Sequence, residues 1–210
     1  MPAPFFDRHA AGVQLARALR PLPNSIVLGI ARGGVIVAAA VAEAAHLLLD
    51  VIVIRKVGHP MQPELAIGAV SADGEAVGTP HAAGFPSAVL NVLFARTARD
   101  AQALEARLRG TVAALDLQGR AAIIVDDGIA TSASMVCALQ SARKRGAAHL
   151  TCAVPVAPAE SLDQVRRHCD AVVALIPAQG VPFAVGRFYF AFQAVSDARV
   201  REALARPRVG

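Results

Sequence analysis

The sequence predicts an α/β protein: an open, mostly parallel sheet of about five strands with flanking helices, plus a flap. Two observations carry this. Short β-branched runs recur at 25–30 (SIVLGI), 50–55 (DVIVIR), 121–125 (AAIIV), 149–156 and 171–176, without polar alternation, as in strands buried on both faces. Helix-like stretches lie between them, and strand–helix–strand order implies parallel neighbours joined by crossovers.

Residues 7–19 read as the first helix, with Gly12, Val13, Leu15, Ala16 and Leu19 near one face and Arg8, Gln14 and Arg17 interrupting it; Pro21 and Pro23 end it. The strand at 25–30 runs into a turn at 31–34, and 35–46 is apolar enough for a buried helix. The run at 50–55 is the second strand. Residues 58–78 carry turn signals and the alternating patch LAIGAV, which suggests a hairpin or flap. Residues 87–115 read as helical with breaks, most amphipathic over 100–109. The strand at 121–125 ends in Asp126-Asp127-Gly128 and a polar loop. A helix over 133–145 is stopped by Gly146, and a helix over 159–168 precedes the last strand. The expectation is a single domain over 1–210, with a flap and helical insertion at 58–110 and a C-terminal hood or tail at 177–210.

At 210 residues and 55% hydrophobic content the chain can bury one substantial core. Its longest uncharged apolar run, 35–42, falls far short of the roughly 20 residues of a membrane span. Residues 1–8 lack the basic start and apolar stretch of a signal peptide, so a cytosolic protein with no membrane partner is expected. Cys137, Cys152 and Cys169 lack metal-type spacing and read as structural. The net charge of +5 suits an anionic small molecule and equally a nucleic-acid surface.

Several chemistries are excluded by motif. Gly29 to Gly34 has the glycine spacing of a nucleoside-triphosphate loop, but Val35 stands where lysine is required. No G-x-G-x-x-G follows a strand, and no G-x-S-x-G elbow occurs. The 6 histidines are scattered without zinc spacing.

The most informative segment is 123–135, IIVDDGIATSASM. A buried strand ends in two adjacent carboxylates, and a loop of small and hydroxyl residues leads into a helix. Amides at that helix start, with hydroxyls from Thr131, Ser132 and Ser134, can cradle a phosphate. Asp126 and Asp127 would repel phosphate; they suit sugar hydroxyls or a hydrated Mg²⁺. Read from spacing alone, an ordinary Asp-Gly turn and a serine helix cap remain equally open.

This segment resembles the phosphoribosyl-pyrophosphate motif of the type I phosphoribosyltransferases. The resemblance implies ribose-hydroxyl binding by Asp126 and Asp127, and 5′-phosphate binding by Ala130, Thr131, Ser132, Ala133 and Ser134. LGIARGGV at 28–35 is similar to the family's pyrophosphate loop, which implies pyrophosphate contacts from Arg32, Gly33 and Gly34. RKVGHP at 55–60, with ELAIGA at 64–69, resembles its basic strand end and flap; Arg55 and Lys56 are then pyrophosphate partners, and Asp126, Asp127, Arg32 and Lys56 the catalytic set. FAVGRFYFAFQAVSD at 183–197 completes a likeness to a bacterial subfamily, weakest over 74–99. By analogy with purine enzymes, Phe183, Val185 and Tyr189 are base-pocket candidates, with simple core packing as the alternative. The implied cofactor is Mg²⁺, and the partners are phosphoribosyl pyrophosphate, a small nitrogenous acceptor and a second copy in a homodimer; Glu64 is a guess for a general base.

Two departures stand out. Ser132 occupies a position usually held by glycine, and a positive φ there would cost about 1–2 kcal/mol. Ala191 stands where the subfamily tends to carry Asp. Both favour, as an alternative, a noncatalytic sensor of the donor. A regulatory RNA-binding protein on the same fold is a further alternative, suggested by Arg199, Arg201, Arg206 and Arg208; an aromatic content of only 4% argues against it.

Overall fold

The computed structural model describes residues 3–179 and 183–205. Chain order gives α1 (Arg8–Ala18), β1 (Ile26–Ile30), α2 (Gly33–Ala45), β2 (Leu48–Ile52), β3 (Ile54–His59), β4 (Gln62–Ser71), β5 (Ala76–Gly78), α3 (Ser87–Arg109), β6 (Ala121–Val125), α4 (Ala133–Lys144), β7 (His149–Pro158), α5 (Ala159–Val165), β8 (Ala171–Ala178) and α6 (Asp197–Leu204). Short 3-10 turns occur at Pro80–Ala82, Arg166–His168 and Val185–Phe188.

The main sheet has five strands in the order β2-β1-β6-β7-β8, paired in parallel throughout. Strand residues alternate between two helical layers, as a period of two requires. Ile26, Leu28, Ala122, Ile124, Leu150, Cys152 and Val154 pack with α4 and α5, whereas Val27, Ile123, Val125 and Ala153 pack with α1 and α2. Both faces are covered, which is why these strands carry no polar alternation.

The run at 50–55 is not one strand. β2 pairs with β1 only as far as Ile52, and β3 begins at Ile54 against Ser71 of β4. Between them the Val53 carbonyl accepts from the Ala72 amide, so the backbone changes partner without leaving the extended state. Val51 and Val53 stay in one apolar cluster and Ile52 and Ile54 in another, so the hydrophobic pattern does not betray the change. Strands β3, β4 and β5 form a separate antiparallel sheet, the flap expected from 58–78.

Within the stretch expected at 87–115, α3 is one unbroken helix of 23 residues that ends at Arg109, where Gly110 caps it, and residues 110–115 are not helical. Its first half packs Leu90, Leu93, Phe94 and Ala98 on the small sheet, and its second half packs Ala101, Leu104 and Leu108 on the main body. One stripe with two different partners reads as interruption in a sequence window. The expected helix over 159–168 is α5 tightened at its end into the Arg166–His168 turn.

The C-terminal stretch closes over the start of the chain through a bridge between Phe5 and Tyr189, and α6 packs on α2 and α3. Residues 180–182 and 206–210 of the expected hood or tail, including Arg206 and Arg208, lie outside the described residues. Cys137 and Cys152 are buried, Cys169 is half-buried, and all three are thiols; burial pushes the Cys137 thiol up to about 12. Among the described residues no helix is long and apolar enough to cross a membrane.

The sheet edge is held by a buried ion pair. Asp50 on β2 accepts from Arg109 at 2.6 Å, from the Leu115 amide at 2.8 Å and from the Val51 amide at 2.8 Å. The Asp50 and Arg109 side chains are only 1% and 9% exposed, and Arg109 Nε also donates to Glu105 at 2.9 Å, so loss of Asp50 leaves a buried guanidinium with one carboxylate in place of two and the Leu115 amide without its acceptor. Asp50→Ala is therefore expected to destabilise the fold by about 1–3 kcal/mol in urea unfolding, with the loss centred on α3 and the connection after it.

Candidate functional site

The turns after β1 and β6 and the first residues of β3, just beyond the carboxyl end of β2, meet in one open cleft of about 440 Å³. It is lined by Ala31, Arg32 and Gly33, by Arg55 and Lys56, and by Asp126, Asp127 and Ser134. Arg32, Gly33, Arg55, Lys56, Asp126, Asp127 and Ser134 thus converge where an open parallel sheet offers a crevice, whereas Ser132 and Ala133 line a separate cavity between the flap and α5, and Ala130 and Thr131 line neither.

The turn after β1 presses on the acid pair. A Cβ on Gly34 would lie 2.6 Å from the Val125 carbonyl oxygen and 2.8 Å from the Asp126 Cα. One on Gly33 would lie 2.0 Å from Asp127 Oδ2. Both positions need glycine for close approach, not for unusual dihedrals. The Ala31–Arg32 peptide bond is cis. Helix α2 then starts with no side-chain cap, so its first amides keep no partner from a capping side chain.

Helix α4 starts in the same way. Ser132 is its N-cap residue, with φ −68° and ψ −22°, and its side chain does not cap the helix. The φ of Ser132 is negative, so serine carries no left-handed penalty here. Its hydroxyl donates instead to Gln164 of α5. Ala130 and Thr131 are exposed, Ser132 and Ser134 half-buried and Ala133 buried. The cleft therefore faces two uncapped helix N-termini, each carrying the partial positive charge of its orphan amides.

Between them sit the carboxylates, both half-buried. Asp126 Oδ1 accepts from the Asp127 amide at 2.9 Å. Burial, reinforced by the neighbouring Asp127 charge, pushes Asp126 well above the usual carboxylate range, while Lys56 and Arg8 oppose it. Burial also raises Asp127, against the pull of Arg8. Arg55 and Lys56 are exposed at the cleft, and among the described residues their side chains make no hydrogen bond or ion pair.

Two residues missed by the sequence reading govern this geometry. Arg8 Nε donates to Asp127 Oδ2 at 2.8 Å. A cation in the first turn of a helix is electrostatically misplaced, and that misplacement was the available signal. Asp197 at the start of α6 accepts from Arg32 Nε at 2.6 Å and from Arg107 Nε at 3.3 Å, and Arg32 foremost holds it below the usual carboxylate range. The Arg32 guanidinium, expected to be available to an anion, is engaged by α6.

The aromatic candidates do not line the cleft. Tyr189 is 5% exposed, lies between Phe5 and Phe192 at 5.4 and 4.9 Å, and donates its hydroxyl to the Asp127 carbonyl at 2.6 Å. Burial raises its phenol. Val185 methyls lie against Gly128, and Phe183 packs on Phe188 at 5.5 Å. The Ala191 amide bonds the Phe6 carbonyl, and Glu64 is exposed on β4. Among the described residues no group of three or more His, Cys, Asp or Glu side chains could hold a metal alone. Two carboxylates beside an open cleft fit Mg²⁺ arriving with an oxygen-rich ligand, since that ion keeps most of its shell as water and ligand oxygens.

The family model for the phosphoribosyl transferase domain matches residues 14–187. Two Mycobacterium tuberculosis proteins provisionally named phosphoribosyl transferases are each 39% identical over 201 residues, covering 93% of this chain and 45% of theirs. The chain thus spans less than half the length of these curated relatives. A crystal structure of the Thermus thermophilus protein TT1426 matches with a TM-score of 0.81 at 39% identity, over 95% of this chain and 97% of that one.

Two stability measurements probe the crowding at the acid pair. Gly33→Ala is expected to cost about 1–3 kcal/mol in urea unfolding, and Gly34→Ala more, because its added methyl meets backbone. Asp126 has a raised native pKa, so the folded protein binds its proton more tightly than the unfolded chain. Its contribution to stability falls as pH rises from the ordinary carboxylate value through the native one, leaving a net cost at neutral pH. Asp126→Asn should therefore raise the neutral Tm by about 2–4 °C, with the gain shrinking toward acid pH.

Proposed function

The chain belongs to the phosphoribosyl transferase domain family, and from that premise we propose that it transfers 5-phosphoribose from phosphoribosyl pyrophosphate to a nitrogenous small-molecule acceptor, releasing pyrophosphate. One observation carries the reading: two uncapped helix starts stand on either side of an acid pair in a single cleft. That arrangement is complementary to a molecule with an anionic group at each end and hydroxyls between them.

In this assignment the α4 start, Ala130 to Ser134, holds the 5′-phosphate. Asp126 and Asp127 accept from the ribose hydroxyls, and the amides of Gly33 and Gly34 with Arg55 and Lys56 face the pyrophosphate. Asp126 and Asp127 would face a Mg²⁺ ion brought by the donor, and that ion would neutralise charge on the leaving group. A C1–N bond to the acceptor forms as the C1–O bond breaks; the electron pair leaves with the pyrophosphate, and the acceptor's proton passes to solvent or a base. Positive charge develops on the ribose ring, next to the carboxylates that hold it, and negative charge on oxygens facing the α2 amides and Lys56. The protein's contribution is thus positioning and fixed electrostatics. The hairpin continuing from Lys56 is the element able to exclude water from the cation.

A second reading is a sensor that binds the donor without turnover, favoured by the engagement of Arg32 by Asp197. Release of pyrophosphate in an acceptor screen separates the two.

Titration calorimetry with phosphoribosyl pyrophosphate, with and without Mg²⁺, tests the site. Wild-type binding should require Mg²⁺, and Asp127→Asn and Lys56→Ala should each weaken it by about 10–100-fold with unchanged circular dichroism. Unchanged affinity in both variants, or no wild-type binding near about millimolar donor, would retire the assignment. Because the donor must compete with Asp197 for Arg32, Asp197→Asn should tighten binding by roughly 3–10-fold, most clearly at low salt.

A further inference from the structure

Arg8 takes part in a closed circuit of contacts around Asp127. Its Nε holds Asp127 Oδ2 at 2.8 Å, and another guanidinium nitrogen donates to the Gln193 carbonyl at 2.8 Å. The guanidinium carbon lies 3.9 Å from the centre of the Phe192 ring. Phe192 stacks on Tyr189, whose hydroxyl returns to the Asp127 carbonyl. Arg8 and Asp127 side chains are only 11% and 16% exposed, so the pair is shielded more than a surface ion pair. A fork that donates in two directions while its face rests on an aromatic ring is a task for arginine and not for lysine.

We propose that Arg8 is a positioning residue of the sugar site: it fixes one oxygen of Asp127, leaves the other for a ribose hydroxyl, and ties residues 189–193 to the acid pair. The sugar half of this statement rests on the donor assignment above; the hold on Asp127 does not. The groups facing Asp127 are Arg8 from α1, Asp126 beside it and the Tyr189 hydroxyl, with Lys56 of β3 acting on Asp126. Without Arg8, Asp127 loses the donor that fixes its Oδ2, and residues 189–193 lose the tie that Arg8 makes to the acid loop, so the carboxylate is no longer held in the orientation that faces the cleft.

The test combines two measurements on wild type, Arg8→Ala and Arg8→Lys, at one fixed pH. Tyr189 is the single tyrosine of a chain without tryptophan, so its fluorescence, recorded without donor, reports the circuit and should change in Arg8→Ala and less in Arg8→Lys. Calorimetry with phosphoribosyl pyrophosphate and Mg²⁺ should show Arg8→Ala binding about 10-fold more weakly than wild type, with Arg8→Lys between. If Arg8→Ala does not fold, the lysine variant carries the comparison, since it keeps the charge and loses the fork. An unmoved Tyr189 signal in both variants overturns the inference by itself. So does unchanged donor affinity in both. A moved signal beside a wild type that binds no donor instead overturns the donor assignment and the sugar role together, leaving only the hold on Asp127.

Discussion

Two carboxylates placed side by side at the end of a buried strand are the constraint around which this molecule is arranged. Neither desolvation nor mutual repulsion favours Asp126 and Asp127 in their charged forms. The surroundings answer with positive potential from four directions: the amide ends of α2 and α4, the guanidinium of Arg8 and the ammonium of Lys56. Each comes from a different stretch of chain, so the charge problem of one dipeptide fixes the relative placement of the first helix, both crossover helices and the root of the flap. The bare backbone at Gly33 and Gly34 follows from the same demand, since the α2 amides could not come so close to the acids past a side chain.

The parallel sheet was legible in the sequence because its strands are buried on both faces and say so in uninterrupted β-branched runs such as AAIIV. The cleft was legible because three polar turns fall at the ends of such strands, and its proposed roles came from likeness to a known motif rather than from periodicity. What the sequence could not display were changes of partner. Val53 sits inside a continuous apolar run, yet the backbone there passes from one sheet to another. Helix α3 looked interrupted because its two halves meet different neighbours. Arg8 and Asp197 escaped notice for a related reason. Arg8 acts on Asp127 across 119 residues and Asp197 on Arg32 across 165, and no local pattern encodes such a pairing.

The aromatic residues near the C-terminus illustrate how one composition serves two purposes. Tyr189 is a base-pocket candidate by analogy, and in the structure it is a buried strut under the acid loop, its hydroxyl committed to the Asp127 carbonyl. Ser132 reverses the usual expectation in another way. A serine in place of glycine would be a burden in a left-handed turn, but in this right-handed start it gains a hydrogen bond to Gln164 and anchors the loop to α5. In both cases the side chain stiffens the site from behind.

The change of sheet at Val53 also has a mechanical meaning. β2 and β3 form one extended rod that changes sheets at a buried residue, with Ile52 in the parallel sheet and Arg55 and Lys56 immediately beyond the change. The body of the antiparallel sheet is pinned to α4, where Ser141 donates to Asp73 and Lys144 pairs with Glu75. The two cations therefore stand on a buttressed root, and the exposed part of the flap is its far turn near Met61.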